Sequence, residues 1–172
     1  MDPRAPSFSR KIPQGDERER AVCDACGFVD YVNPKIVAGA VVAAADGRIL
    51  MCKRAIEPRR GFWTLPAGYM EEGESVEAGA AREAREEACC EIAIDALIGV
   101  YSIPRISQVQ LFFRASLASD IAAGPESEAV ALYEWERIPR AEIAFPSVVW
   151  ALEDWRATKD ETCFAPARRS AQ

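Results

Sequence analysis

From Ile36 to Ala44 the chain reads IVAGAVVAA, an apolar, β-branched run with no polar interruption, and a run of that length predicts a strand buried on both faces. Asp46-Gly47 is a two-residue hairpin signal, and RILMCKR after it supplies the partner strand. Residues 55 to 61, AIEPRRG, form a loop, and GFWTLPAG predicts a short strand. The period then changes. Ser75 stands where an N-cap is wanted, Ala78, Ala80, Ala81, Ala84 and Ala88 follow, and no proline intervenes, so a helix is predicted up to the Cys89-Cys90 pair. EIAIDALIGVYSIP and QVQLFFRASL predict two strands joined by a short loop with Pro104 and Arg105, AAGPESE a further loop, and AVALYEWERIP an alternating strand. In FPSVVWALEDWRA, Val148, Val149, Ala151, Leu152 and Trp155 recur at amphipathic-helix spacing. Strands and two helices interleaved in this way predict an α/β/α sandwich around a mixed sheet. Residues 1 to about 20 are polar and Pro/Arg-rich and read as an arm, and KDETCFAPARRSAQ reads as a frayed tail.

Composition narrows the chemistry. A chain of 172 residues, 49% hydrophobic, holds one core and a small appendage. Its formal net charge of −6 offers no basic footprint for nucleic acid or for an anionic membrane, so small anionic substrates have to be held by local arginines or by metal. No apolar run approaches the ~20 residues that span a bilayer. The histidine count is zero, which removes Ser-His-Asp and Cys-His nucleophile systems, HExxH zinc hydrolysis and histidine-ligated iron together. Six cysteines in so long a chain do not read as a disulfide framework, and the expected compartment is the reducing cytoplasm.

The remaining chemistry concentrates in GYMEEGESVEAGAAREAREEACC, Gly68 to Cys90. On the predicted helix Glu83, Glu86 and Glu87 fall within an arc of about 100°. Three carboxylates in the last turns of a helix work against its macrodipole, and a bound cation resolves that conflict. Oxygen ligands without histidine or thiolate suit Mg²⁺ or Mn²⁺. The plainer alternative is an exposed Glu/Arg face with pairs such as Arg82 and Glu86 at i, i+4. Among the other candidates, Arg59, Arg60 and Arg105 are able to pair bidentately with phosphate, and Trp63, Tyr69 and Phe112 to stack on a base, although each also fits an ordinary surface or core role.

Gly68, Glu74 and the run Arg82-Glu83-Ala84-Arg85-Glu86-Glu87 match the pattern G-x5-E-x7-R-E-apolar-x-E-E-x-G-apolar, so the stretch resembles the Nudix box. One position departs: Cys89 stands where the pattern has the glycine of the turn leaving the helix. The likeness covers most of residues 10 to 153 and is nearest the zinc-ribbon branch that includes the plant chloroplast FAD and ADP-ribose pyrophosphatase. It implies a Nudix-type α/β/α sandwich of the α+β class behind half a zinc ribbon: an arm and knuckle at residues 1–34, a catalytic domain at 35–158 and a tail at 159–172. Cys23 and Cys26 form one C-x2-C knuckle, but the second knuckle is missing, which leaves zinc without four thiolates.

Carried onto this sequence, the resemblance implies metal ligation by Glu83, Glu86, Glu87 and the Ala67 carbonyl, Arg82 orienting a carboxylate, and Glu74 fixing the loop. The general base is then a box glutamate, Glu126 or Glu128. The implied reaction is metal-dependent hydrolysis of a diphosphate bond in a nucleoside diphosphate linked to another moiety, FAD or ADP-ribose first, by a homodimer. The alternatives are NADH or another dinucleotide as substrate, or a non-catalytic nucleotide sensor. The SQPWPFPxS-type signature of the NADH enzymes is absent, since SIPRISQVQ stands in its place.

Overall fold

The structure, a computed structural model, describes residues 6–171. The expected arm falls partly outside them, at residues 1–5, and partly inside, where it is not an arm. Phe8–Lys11 (β1) pairs antiparallel with Arg20–Cys23 (β2), which pairs in turn with Val29–Asp30 (β3). Beside the buried Val22 and Cys23, polar bonds brace the β1–β2 pair. Asp16 accepts from the N–H groups of Glu17 (2.7 Å) and Arg18 (3.1 Å) and from Arg20 Nε (2.9 Å). Asp24 accepts from Ser9 Oγ at 2.6 Å and Ser7 Oγ at 3.1 Å. Low hydrophobicity therefore concealed a small sheet.

These strands belong to one compact unit, Met1–Pro34, and the rest of the chain, Lys35–Gln172, forms another. The second unit contains Lys35–Ala43 (β4), Ile49–Arg54 (β5), Trp63–Thr64 (β6), Ala67–Tyr69 (β7), the helix Val76–Ala88 (α1), Ile92–Ile103 (β8), Gln108–Leu117 (β9), Ser127–Tyr133 (β10), the helix Pro146–Thr158 (α2) and Ala167–Ser170 (β11). The strands make one eight-stranded sheet in the order β10-β5-β4-β9-β8-β11, with β6 on β5 and β7 on β4. It is mixed: β4/β9 and β8/β11 run parallel, and β8/β9 and β5/β10 antiparallel.

Both faces of the sheet are covered, which is why β4 reads as an unbroken apolar run. On one face Ala80, Ala84 and Ala88 of α1 lie against Ala38, Ala40, Val42, Leu50 and Cys52. On the other, Val148, Ala151, Leu152 and Trp155 of α2 lie against Val41, Ile49 and Met51. Burying each large side chain contributes about 1.5–3 kcal/mol.

Further expectations are corrected: the strand read in AVALYEWERIP stops at Tyr133, and Trp135–Arg137 forms a 3-10 turn. GFWTLPAG is not one strand, because β4 and β5 pair at Ala43↔Ile49 and then splay, so β6 and β7 take opposite sides of the gap. Pro66, with no N–H to give, sits at the crossing and accepts from Ala40 N at 3.1 Å. The tail 159–172 is not frayed along its length, since β11 docks in register on β8, Ala167↔Gly99 through Ser170↔Ser102.

Helix α1 begins at Ser75, whose Oγ accepts from Ala78 N at 3.2 Å. It ends on Cys89 with φ of 47°, whose N–H bonds back to Arg85 O at 3.0 Å. The glycine-type turn is thus kept without glycine.

Candidate active site

The splayed hairpin, α1 and the start of α2 enclose a cleft of about 680 Å³. Its charged wall is made by α1. Glu83 and Glu87 are buried, 7% and 5% exposed, while the Glu86 side chain is 55% exposed. Gly68 lets β7 pass over Glu83, because a Cβ at residue 68 would lie 2.3 Å from Glu83 Oε1.

Arg82 ties the site together. Its Nη1 donates to Glu83 Oε1 and Glu86 Oε2, both at 2.8 Å, and its Nη2 to the Tyr69 carbonyl and Glu74 Oε1, both at 2.9 Å. Glu74 also accepts from Glu71 N at 2.7 Å, so it closes the loop ahead of α1. The Arg82 guanidinium and that N–H hold the Glu74 carboxyl below the usual range.

Burial raises the other carboxyls. Glu83 is pushed up by desolvation, against the pull of Arg82. Glu87 is pushed up to about 8 by desolvation first and the Glu83 charge second, with Arg54 opposing. Its Oε2 is buried and finds no hydrogen-bond partner among the described residues. An orphaned carboxylate oxygen beside two more carboxylates is a donor set that fits a hard divalent cation. The carboxylates are not gathered around one point: among the described residues no three His, Cys, Asp or Glu side chains are placed to hold a metal ion together. Arg82 Nη1 bridges Glu83 and Glu86 instead.

The other candidates divide. Ala67, Tyr69, Arg105 and Glu126 line the cleft, and Tyr69, 49% exposed, accepts from Gln108 Nε2 at 2.8 Å. Phe112 lies in its floor. Trp63 does not line it; the ring is buried in the α2-side core, edge-on to Tyr133 at 5.2 Å. Nor do Arg59, Arg60 or Glu128. Arg59 sits beside the Phe62 ring, and Arg60 Nε is 3.0 Å from Glu128 Oε1, so those two charges answer one another.

Two contributors were missed. Arg54, the last residue of β5, lines the cleft, donates to the Pro58 carbonyl at 2.8 Å and lies over the Phe145 ring. Its signal was slight: a cation closing a buried strand. Gly124 is the other. Its N–H donates to Glu87 O at 3.1 Å and Ala122 N to Ala88 O at 3.0 Å, so the loop carrying Glu126 satisfies the open carbonyls ending α1. A Cβ on residue 124 would lie 1.7 Å from Glu86 O.

In the first unit Cys23 is buried and Cys26 exposed, with Gly27 N donating to Cys23 O at 2.9 Å. The N–H groups of Cys26 and Ala25 lower the Cys23 thiol. Two thiols without further ligands among the described residues do not fit tetrahedral zinc.

Comparison with known proteins agrees with this geometry. The NUDIX domain model matches residues 33–157, and the Nudix N-terminal model matches residues 5–32. The chain is 25% identical over 131 residues to the ADP-ribose pyrophosphatase of Methanocaldococcus jannaschii, covering 73% of this chain and 77% of that protein. It is 36% identical over 110 residues to the NAD-capped RNA hydrolase NudC of Stutzerimonas stutzeri, covering 63% of this chain and spanning 39% of NudC. The crystal structure of a NUDIX hydrolase from Nitrosomonas europaea superposes with a TM-score of 0.89 at 37% identity, over 99% of this chain and 98% of that one.

Proposed function

The chain belongs to the Nudix hydrolase family, and we propose that it cleaves the diphosphate linkage of a nucleoside diphosphate joined to a second moiety, with ADP-ribose or FAD preferred. The observation that carries the reading is the pair of buried carboxylates, Glu83 and Glu87, with an unpartnered Glu87 oxygen at the wall of the cleft. Glu83, Glu86, Glu87 and the Ala67 carbonyl are the groups that would hold Mg²⁺ or Mn²⁺. Bound there, such an ion would polarise phosphoryl oxygens and lower the pKa of a water so that it could lose a proton as it attacks.

The protein's own part is positioning. Arg82 keeps Glu83 and Glu86 aimed from α1, and Glu74 keeps Arg82 in place. Arg54 and Arg105, both on the cleft wall, offer guanidinium forks to the diphosphate. Glu126 enters from the β9–β10 loop as the carboxylate that takes a proton from the attacking water. The water oxygen bonds to one phosphorus, the bridging P–O bond breaks, and two phosphomonoesters leave.

The identity with NudC favours a second substrate class, NAD-type dinucleotides, at the same site. A homodimer in the cytoplasm is part of the first reading, and light scattering tests the assembly. The reaction itself is tested by phosphate release, after phosphatase coupling, from ADP-ribose, FAD, NADH, diadenosine polyphosphates and nucleoside triphosphates. Mg²⁺-dependent turnover of ADP-ribose or FAD that collapses in Glu86→Gln and Glu87→Gln supports the proposal. Faster turnover of NADH moves it to the second class, and no turnover of any of them refutes it.

A further inference from the structure

We propose that the C-terminal strand β11 is a specificity wall, closing the end of the cleft remote from the carboxylates and setting which second moiety it admits. The inference rests on the cleft being the diphosphate-binding site. Three observations carry it.

The first is position. Ala171, directly after β11, lines the same cleft as Glu83 and Glu87, and its N–H is held by Ser102 O at 3.1 Å. The sheet order places β11 three strands beyond β4, on which β7 pairs. At about 4.8 Å per strand that is roughly 14 Å, a distance suited to the part of a dinucleotide beyond its phosphates. The second is the lining. Ile103, which follows the Ser102 that holds Ala171, lines the cleft together with Ile106 and Trp150, apolar side chains fit to receive a planar base or flavin ring, while Arg105 between the two isoleucines is left to reach the phosphates.

The third is the latch. Arg169 donates through Nε to Asp154 Oδ2 at 3.1 Å, through Nη2 to Asp154 Oδ1, and through Nη1 to Glu153 Oε2 at 3.0 Å. Asp154 is 8% exposed and accepts from Tyr101 Oη at 2.8 Å. The Tyr101 ring lies 5.7 Å from both Phe112 and Trp150, which line the cleft. Tail, helix α2 and cleft floor are therefore linked through one carboxylate, and loosening Arg169 is felt at the aromatic lining. A strand that merely covered the β8 edge would need neither the buried Asp154 nor a residue in the cleft.

The test uses the full chain carrying Ala171→Trp, Arg169→Ala or Arg169→Lys. KM and kcat are measured on ADP-ribose, FAD and NADH, and calorimetric Kd on the same compounds with Ca²⁺ in place of Mg²⁺. Ala171→Trp is expected to change KM and Kd by at least fivefold, most for FAD, with the effect on KM rather than kcat. Arg169→Ala is expected to raise KM and Arg169→Lys to recover part of it. KM and Kd within twofold of wild type for Ala171→Trp on every compound overturn the wall. So does an Arg169→Ala protein that melts lower yet keeps its substrate ranking. If the wild type binds these compounds without turning them over, the Kd series still decides the wall, and the catalytic reading fails by itself.

Discussion

Gly124→Ala isolates how the protein brings a loop carboxylate to a helix. The backbone at residue 124 is not left-handed, so conformational strain is not at issue. Contact is: the added Cβ lies 1.7 Å from Glu86 O and 2.8 Å from Glu86 C, where ordinary contact begins near 3.4 Å. If the loop stays, overpacking costs about 1–3 kcal/mol. If it lifts, the bond from Gly124 N to Glu87 O at 3.1 Å is lost, about 1 kcal/mol, and the loop carrying Glu126 shifts with it. If Glu126 takes the proton as proposed, a displacement of about 1 Å there costs on the order of 10²-fold in rate. Gly124→Ala should therefore lose about 1–3 kcal/mol in urea unfolding and about 10²-fold in kcat, while Ca²⁺-supported binding of ADP-ribose persists. Stability within about 0.5 kcal/mol of wild type, together with unchanged kcat, would refute the idea that this close approach positions Glu126.

Two further outcomes follow from the same region. Cys89 holds φ of 47° where glycine is unstrained, so Cys89→Gly should stabilise the protein by about 0.5–1 kcal/mol in thermal or urea unfolding; a loss of stability would contradict the strain argument. The second concerns pH in chelator. Glu87 has its native pKa raised to about 8 from an ordinary value of 4.5, so the native state holds its proton more tightly than the unfolded one. The contribution is complete below pH 4.5 and is lost as pH rises through about 8, with a slope of at most about 1.4 kcal/mol per pH unit. Unfolding of the metal-free protein in urea at pH 5, 6.5 and 8 should show that decline, and Glu87→Gln should flatten it. Equal decline in the two proteins would remove Glu87 as its source.

The legible parts of this protein were those with local causes. Ser75 announces a helix start, Asp46-Gly47 a hairpin, and the unbroken β4 run a sheet covered on both faces. The spacing of Glu83, Glu86 and Glu87 reports a shared helix face because the helical period alone decides it. The less legible parts depend on partners far away in sequence. Arg60 meets Glu128, Arg169 meets Asp154, and Trp63 meets Tyr133, and no neighbouring residue signals any of these. Hence a phosphate-binding role was expected for Arg60, while Arg54, at the end of an apolar strand, went unnoticed. The first sheet was hidden because Asp16 and Asp24 stabilise it with hydrogen bonds, which composition does not register.

The central claim, metal-dependent hydrolysis at the diphosphate bridge by the α1 carboxylates, is tested most directly by ³¹P NMR of ADP-ribose incubated with the protein in ¹⁸O-enriched water, with Mg²⁺ or with chelator. The account predicts two phosphomonoesters, AMP and ribose 5-phosphate, one of them carrying a single ¹⁸O, formed with Mg²⁺ and not in chelator. Intact ADP-ribose in the presence of Mg²⁺, or equal cleavage in chelator, would contradict it.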